Sequence, residues 1–261
     1  MPSKLQASFM KPLKMMNKYR ADLHIHSVLS PCGNLEMSPG RIVKEALGKG
    51  LDIIAVTDHN HTGHARLTRK LAEEKGLWVI YGSEITSVEE VHCLTFFDNE
   101  NQLTAIQEFI EANIPKVANE PELFGDQVIV DGDEMIVEEV GYSLYPAVNK
   151  GIDEIAEFVH GLGGSFVPAH VDRKTNGLFA QLGFFPDALQ ADAIEIHRNT
   201  SISAFRMEHP ELERFQILKN SDAHYPEDIG RASSVFRMKE LNFVEFQMAL
   251  GRKDGREIVV K

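Results

Sequence analysis

Short β-branched apolar runs alternate with stretches of helical periodicity along nearly the whole chain. This predicts repeated βα units, a mainly parallel sheet and, as its natural closure, a barrel. Residues 51–57 form one such run. The helix expected before it opens with Ser38 as N-cap and Pro39 at the first helical position, ends near Gly50, and turns Ile42, Val43, Ala46 and Leu47 to one face. A second helix is expected over 62–75. Strands are expected over 77–81, 91–97, 165–169, 191–196, 215–218 and 233–238, where aromatic and β-branched residues concentrate. The clearest remaining helices are 151–161 and 240–250. One segment breaks the rhythm: Asp131-Gly132 separates two apolar runs, so a small inserted β-hairpin is expected at about 125–140. No linker rich in Pro, Gly or Ser and no internal repeat divides the chain. The expected organisation is a single domain over 21–261 behind a mobile N-terminal arm over 1–20, which carries Lys4, Lys11, Lys14, Lys18 and Arg20 and no acid.

Composition narrows the possibilities. The 261 residues, 43% of them hydrophobic, suffice for a sizeable core without covalent staples. Only Cys32 and Cys93 are present, which implies no disulfide framework and fits a cytoplasmic protein. The basic arm lacks the apolar core of a signal peptide, and no run is long enough to span a bilayer, so no membrane partner is expected. The formal charge of −12 repels polyanions unless metal ions or a local basic cluster reverse the field, so duplex nucleic acid is not expected as a partner.

The chemistry lies where the apolar runs end. Alternate residues of a strand share a face, so His24 and His26 in Asp22-Leu23-His24-Ile25-His26 can aim both imidazoles at one point. Later runs lead into Asp58 and His59, into Glu84, into His170, into His197 and Arg198, and into Asp222 and His224. In a βα barrel, reactive residues collect at the C-terminal ends of strands. His92 is the exception, at the start of its strand. Imidazole mixed with carboxylate suits Zn, Mn or Fe better than Mg or Ca, and the candidates are too many for one four-coordinate ion. Two or three divalent ions held mainly by neutral imidazoles leave a positive site that attracts phosphate.

The motifs DLHIHS, TDHN, GSE, PAH and SDAH, in that order, resemble the polymerase and histidinol phosphatase (PHP) family of metallo-phosphoesterases. The resemblance spans roughly Asp22 to the C-terminus and implies a distorted (β/α)7 barrel with a trinuclear centre at its mouth. It implies His24, His26, Glu84 and Asp222 as ligands of a first metal. Glu84 then bridges to a second held by His92 and His170, and His59 and His224 serve a third. Asp22 and Asp58 match positions that orient imidazoles from behind. The sequence departs from the family pattern at Cys32, where members place His or Asp; a thiolate there completes the third site and favours a softer ion. Cys93 points to the other face of its strand and is read as core. His61 and His64 overhang the site without ligating, His160 is exposed or caps a helix, and His209 is placed on the surface.

Arg173, Lys174, His197 and Arg198 are the candidates for substrate recognition, because a guanidinium matches phosphate oxygens in bidentate geometry. The expected activity is hydrolysis of a small phosphomonoester by attack of a metal-bridging hydroxide, with Glu84, Asp222 and His224 in the catalytic set. His224, His197 or a metal-bound water is the candidate acid. The alternatives are a nucleotide or oligonucleotide phosphoesterase or exonuclease, with Phe179, Phe184 and Phe185 as candidates for stacking a base; a metal-dependent amidohydrolase; and a non-catalytic metal-bound regulatory module. Oligomeric state is not legible.

Overall fold

The described residues, 15–260 of a computed structural model, form strands β1 (Asn17–Ile25), β2 (Ile53–Val56), β3 (Trp78–Thr86), β4 (His92–Phe97), β5 (Val128–Val130), β6 (Ile136–Glu139), β7 (Ser165–Pro168), β8 (Ile194–Glu195), β9 (Ile217–Leu218), β10 (Ser234–Met238) and β11 (Glu257–Val259). Residues 1–14 of the expected arm lie outside the described residues. Asn17 to Arg20 belong instead to β1, where they pair with Met238 to Val235.

One curled sheet of seven strands has the order β11-β10-β1-β2-β3-β4-β7. β1, β2 and β3 run parallel, but the pairings β1–β10, β10–β11, β3–β4 and β4–β7 are antiparallel. The sheet is therefore mixed, where the alternation of runs predicted a mainly parallel one. Only residues 87–91 join β3 to β4, far fewer than the roughly dozen that a parallel crossover needs, so the two must pair antiparallel. β8 and β9 form a separate parallel pair. Asp192 N donates to Phe166 O and Val171 N to Glu195 O, both at 2.9 Å, joining that pair to β7. At the other side His26 N donates to Ala223 O at 2.9 Å, joining the residues after β9 to β1. β5 and β6 pair only with each other, across the Asp131-Gly132 turn.

Strand alternation sets the apolar floor and the polar mouth in line. Ile80 of β3 packs in the interior cluster with Leu23, Ala55, Leu94 and Phe96; Gly82 and Glu84 follow on the same face. β4, running the other way, turns Phe96, Leu94 and then His92 to that interior. On β1 the pairing register shifts between Asp22 and Ile25. Leu23 packs inside, whereas Ile25 packs outside with Ile42, Val43 and Ala46 of the helix Pro39–Gly48. A bulge of this kind re-aims side chains, and here it turns both His24 and His26 toward the mouth. Phe246 closes the floor against Phe236 and Phe96, with ring centroids 5.3 and 5.7 Å away. Each fully buried ring contributes roughly 1.5–3 kcal/mol.

Several elements differ in extent from the local pattern: β8 and β9 are two residues each and the last helix begins at Phe243, and two differences lie near the mouth. β3 runs to Thr86 because its second half pairs with β4, so Glu84 lies inside a strand rather than after one. The helix expected from 62 begins at Ala65. The residues before it are held by other contacts: Thr62 N donates to Gln107 Oε1 at 2.8 Å and Gly63 N to His61 Nδ1 at 3.0 Å.

Candidate metal centre

Glu84 is buried at 1% exposure, and five imidazoles surround its carboxylate. His92 Nδ1 lies 2.9 Å, His24 Nε2 3.2 Å and His170 Nε2 3.3 Å from Oε1, while His59 Nδ1 lies 3.1 Å and His26 Nε2 3.3 Å from Oε2. Neither Glu84 oxygen has a hydrogen-bond partner, nor do His59 Nδ1, His92 Nδ1 or either His170 nitrogen. Buried polar atoms are ordinarily paired. Unpaired nitrogens and oxygens aimed at common points, all of types that ligate Zn, Mn or Fe, fit divalent cations. Three groups bring their ligand atoms within 4.8 Å of one another: His26, Cys32, His59 and His224; His24, His26 and Glu84; and His59, Glu84 and His92. Asp222 Oδ1 approaches His26 Nε2 at 3.4 Å and His24 Nε2 at 3.5 Å.

The backbone is bent to achieve this. His170, Asp222 and Asn60 have φ values of 26°, 51° and 47°, a left-handed region that costs non-glycine residues about 1–3 kcal/mol and is concentrated at functional sites. The charges are equally strained. Burial opposes ionisation of Glu84 and Asp222, yet the imidazoles, His24 foremost, hold both carboxyls well below their ordinary range. His24 is in turn drawn well above the usual imidazole value, against its burial, by Glu84, Glu195 and Asp222. His26 is pushed up to about 9 by Asp222 and Glu84. Burial depresses His59 and His92 and takes His224 down to about 4. Cations and protons therefore compete for His24 and His26.

Other residues named from the sequence have distinct placements. Arg173 Nη1 donates to Asp222 Oδ2 at 2.9 Å and lines the same cavity of about 190 Å3. Arg198 donates to Ser221 O at 2.7 Å and lines a separate pocket with Asn199 and Arg231. His197 is half-buried and fixed through its backbone N to Asp172 Oδ1, outside the cavity lining; Lys174 is exposed. Cys93 is buried in the core beside Ile85. Burial, reinforced by Glu84, Asp222 and Asp58, raises the Cys32 thiol. His209 is not simply on the surface: it stacks on Phe179 with centroids 4.1 Å apart. That packing also removes Phe179 as a platform for a base, and Phe185 is buried against Phe215.

Asp22 and Asp58 do not touch the imidazoles through hydrogen bonds. Asp58 accepts from Ser27 N, Ser27 Oγ and Ser30 Oγ, and Ser30 Oγ stands 3.0 Å from His26 Nδ1. Asp22 accepts from Ser221 N and Gly230 N, and burial raises its carboxyl to about 6. The carboxylate behind His24 is Glu195, 3.1 Å from Nδ1, which the sequence left unassigned. The alternation of β8 offers a signal, since Glu195 is a lone acid between the apolar residues Ile194 and Ile196.

His64 links the mouth to the hairpin, with Nδ1 2.7 Å from Ser27 Oγ and Nε2 accepting from Val130 N at 2.9 Å. His61 Nδ1 accepts from Gly63 N at 3.0 Å, and burial lowers its pKa to about 4. The unfolded chain protonates His61 near 6.5, so its contribution is complete above that pH and is lost as pH falls toward 4. His61→Asn, which keeps an acceptor for Gly63 N, is expected to flatten the unfolding free energy between pH 6.5 and 4 by up to about 3 kcal/mol, at 1.36 kcal/mol per pKa unit. Equal slopes for variant and wild type in urea unfolding would refute this.

A curled α/β sheet whose mouth gathers five imidazoles around one carboxylate defines the class of an α/β protein with a candidate metal site. The PHP domain model matches residues 22–161, more than half of the chain, and the chain belongs to that family. An uncharacterised protein of Methanocaldococcus jannaschii is 38% identical over 78 residues, covering 27% of this chain and 46% of that protein. The uncharacterised YqxK of Bacillus subtilis is 23% identical over 276 residues, covering 94% of this chain and 65% of that protein. The lesion-specific endonuclease PfuEndoQ of Pyrococcus furiosus shares the fold with a TM-score of 0.72 at 22% identity, over 93% of this chain and 58% of that one. Endonuclease Q bound to a 27-mer duplex with an abasic lesion at its active site superposes with a TM-score of 0.68 at 23% identity, over 92% and 58%. The chain thus spans about half to two thirds of the length of these relatives. The exclusion of duplex nucleic acid on net charge is overturned by that complex, in which a protein sharing this fold binds a duplex with its lesion at the active site. Net charge sums over a whole surface, whereas a mouth charged by metal ions sets its own field.

Proposed function

We propose that the chain is a metal-dependent hydrolase that cleaves phosphate esters of nucleic acids. The observation that carries this is the Glu84 carboxylate within 3.3 Å of five imidazoles, its oxygens otherwise unpartnered. Two or three divalent ions, Zn, Mn or Fe, would be held by His24, His26, Glu84 and Asp222, by Glu84 with His92 and His170, and by His59 and His224 with Cys32. We read the ring of strands around them as a distorted (β/α)7 barrel. Such ions, when bound, lower the pKa of water and neutralise charge gathering on phosphorus.

The chain's own residues do the rest. His224 is uncharged at neutral pH because burial takes it to about 4, which suits a ligand and disqualifies it as the acid for the leaving group. His197, lowered by its burial, is disfavoured for the same reason. Arg173 spends one nitrogen on Asp222, fixing that carboxylate, which leaves its remaining N–H groups as donors for phosphate oxygens. The resemblance in fold to Endonuclease Q supports a nucleic-acid ester as substrate. A small phosphomonoester is the second reading, favoured by a cavity of about 190 Å3, below the roughly 300–1,000 Å3 usual for larger ligands. Among the described residues no helix is long and apolar enough to cross a membrane; we place the protein in the cytoplasm on its reduced thiols.

Metal-loaded protein offered p-nitrophenyl phosphate, bis(p-nitrophenyl) phosphate, and single-stranded and duplex oligonucleotides with intact or abasic sites tests the proposal. Diester or oligonucleotide cleavage supports it, monoester cleavage alone supports the second reading, and no turnover with a full metal complement sinks both in favour of a regulatory module. Cys32→Ser is expected to lower bound metal by about one ion per chain with the other ions retained, by elemental analysis. Unchanged stoichiometry in a three-ion protein would return Cys32 to the core.

A further inference from the structure

Two aromatic rings stand exposed beside the centre. Tyr145 lines the cavity and is 43% exposed; Phe124 is 46% exposed. The Tyr145 ring centroid lies 6.3 Å from that of His59, and Phe124 meets Tyr145 edge-on at 6.1 Å. Apolar rings left open to water at the rim of a polar cavity are not there to fill the core.

Their backbones are nevertheless fixed to the centre. Asn60 Nδ2 donates to Leu144 O at 2.8 Å and to Pro146 O at 3.1 Å, the carbonyls on either side of Tyr145. The same Asn60 donates its backbone N–H to Glu84 O, and its Oδ1 accepts from Thr86 N at 3.0 Å. Tyr145 is thereby tied to the stretch of β3 that carries Glu84. Phe124 precedes Gly125, whose φ of +90° and approach to the loop before Cys32 admit no side chain: a Cβ there would stand 2.4 Å from Pro31 O. Each ring is held in place through its neighbours while remaining partly open to water.

We propose that Tyr145 and Phe124 form a stacking platform for the nucleobase adjacent to the ester hydrolysed at the centre. This rests on the phosphoesterase reading above and names the part of the substrate that reading leaves open. A phosphoryl group at the centre brings its nucleoside within reach of a ring one imidazole away. Arg173, lining the same cavity, supplies the cationic partner for the phosphate, and the two rings supply π-faces that accept any base. A sugar phosphate without a base has no use for them.

The test compares two oligonucleotides, one with a base at the cleaved position and one with a tetrahydrofuran there. With the base present, Tyr145→Ala is expected to lose about tenfold in kcat/KM, carried in KM, and Phe124→Ala less. The loss on the tetrahydrofuran strand is expected to be several-fold smaller, and Tyr145→Phe to restore the difference between the strands. Equal losses on both strands, or none on either, would overturn the platform and leave the phosphoesterase reading intact. If wild-type protein with a full metal complement cleaves neither strand, that reading fails, and the platform is read by 2-aminopurine deoxyriboside 5′-phosphate. Fluorescence quenching by wild type and not by Tyr145→Ala supports it; no quenching by either overturns it.

Discussion

Glu84→Gln is expected to abolish phosphate-ester hydrolysis, by about a thousandfold or more, while the chain stays folded. Replacing a partner behind a metal ligand already costs roughly 10–100-fold, and Glu84 stands in front, with five imidazole nitrogens between 2.9 and 3.3 Å from its oxygens. The amide keeps the shape and discards the charge. It also presents an NH2 group where an acceptor stood, turning a donor toward nitrogens that need a cation or a proton. Without metal, His24 and His26 would each lose one of the carboxylates that raise them, while Asp222 remains beside both. The backbone is untouched: Glu84 N still donates to Asp58 O and Glu84 O still accepts from Asn60 N. Elemental analysis should find at least one ion per chain missing, and circular dichroism should be unchanged. Near-normal turnover with full metal content would show that Glu84 is not part of the centre.

Glu195→Ala should affect both folding and metal binding. The Glu195 side chain is 3% exposed and serves three donors, His24 at Nδ1, His170 N at 2.9 Å and Asn220 Nδ2 at 2.8 Å. Asn220 in turn accepts from Leu23 N at 2.8 Å, so the carboxylate ties β1, the turn after β7 and the segment after β9 into one network. Removing it strands buried donors and the imidazolium of His24. Breaking a buried charged pair costs about 3–5 kcal/mol. Metal affinity should fall by roughly 10–100-fold, because His24 loses the group that fixes its ring. Glu195→Gln should fall between, since one carbonyl oxygen replaces two acceptors. Urea unfolding in chelator isolates the first effect and metal titration the second. An alanine variant that binds metal with wild-type affinity would show that the contact to His24 is incidental.

The residues gathered around Glu84 were legible because their signals are local. Alternation brings His24 and His26 together, and each later candidate follows or ends an apolar run. The tie between His26 and Asp58 through Ser30 was not legible, because a serine four residues from a histidine has many possible partners. Nor was the platform. Tyr145 lies in a segment without periodicity, and Asn60 places it through bonds spanning more than eighty positions. Of the phenylalanines that looked suitable for stacking a base, Phe179 and Phe185 failed for the opposite reason, because a run rich in aromatics after a strand is where a chain finds core; Phe184 stays 63% exposed.

By itself the sequence determined the α/β class, the family, the helix cap at Ser38 and the set of imidazoles and carboxylates, all readable from period, spacing and residue type. Only the tertiary structure decided that the sheet is mixed, that Glu195 rather than Asp22 or Asp58 stands behind His24, and that an aromatic rim flanks the centre. Those depend on which distant strands meet when the sheet curls. A chain's local pattern specifies the face each side chain takes, while its neighbour across that face is fixed by closure alone.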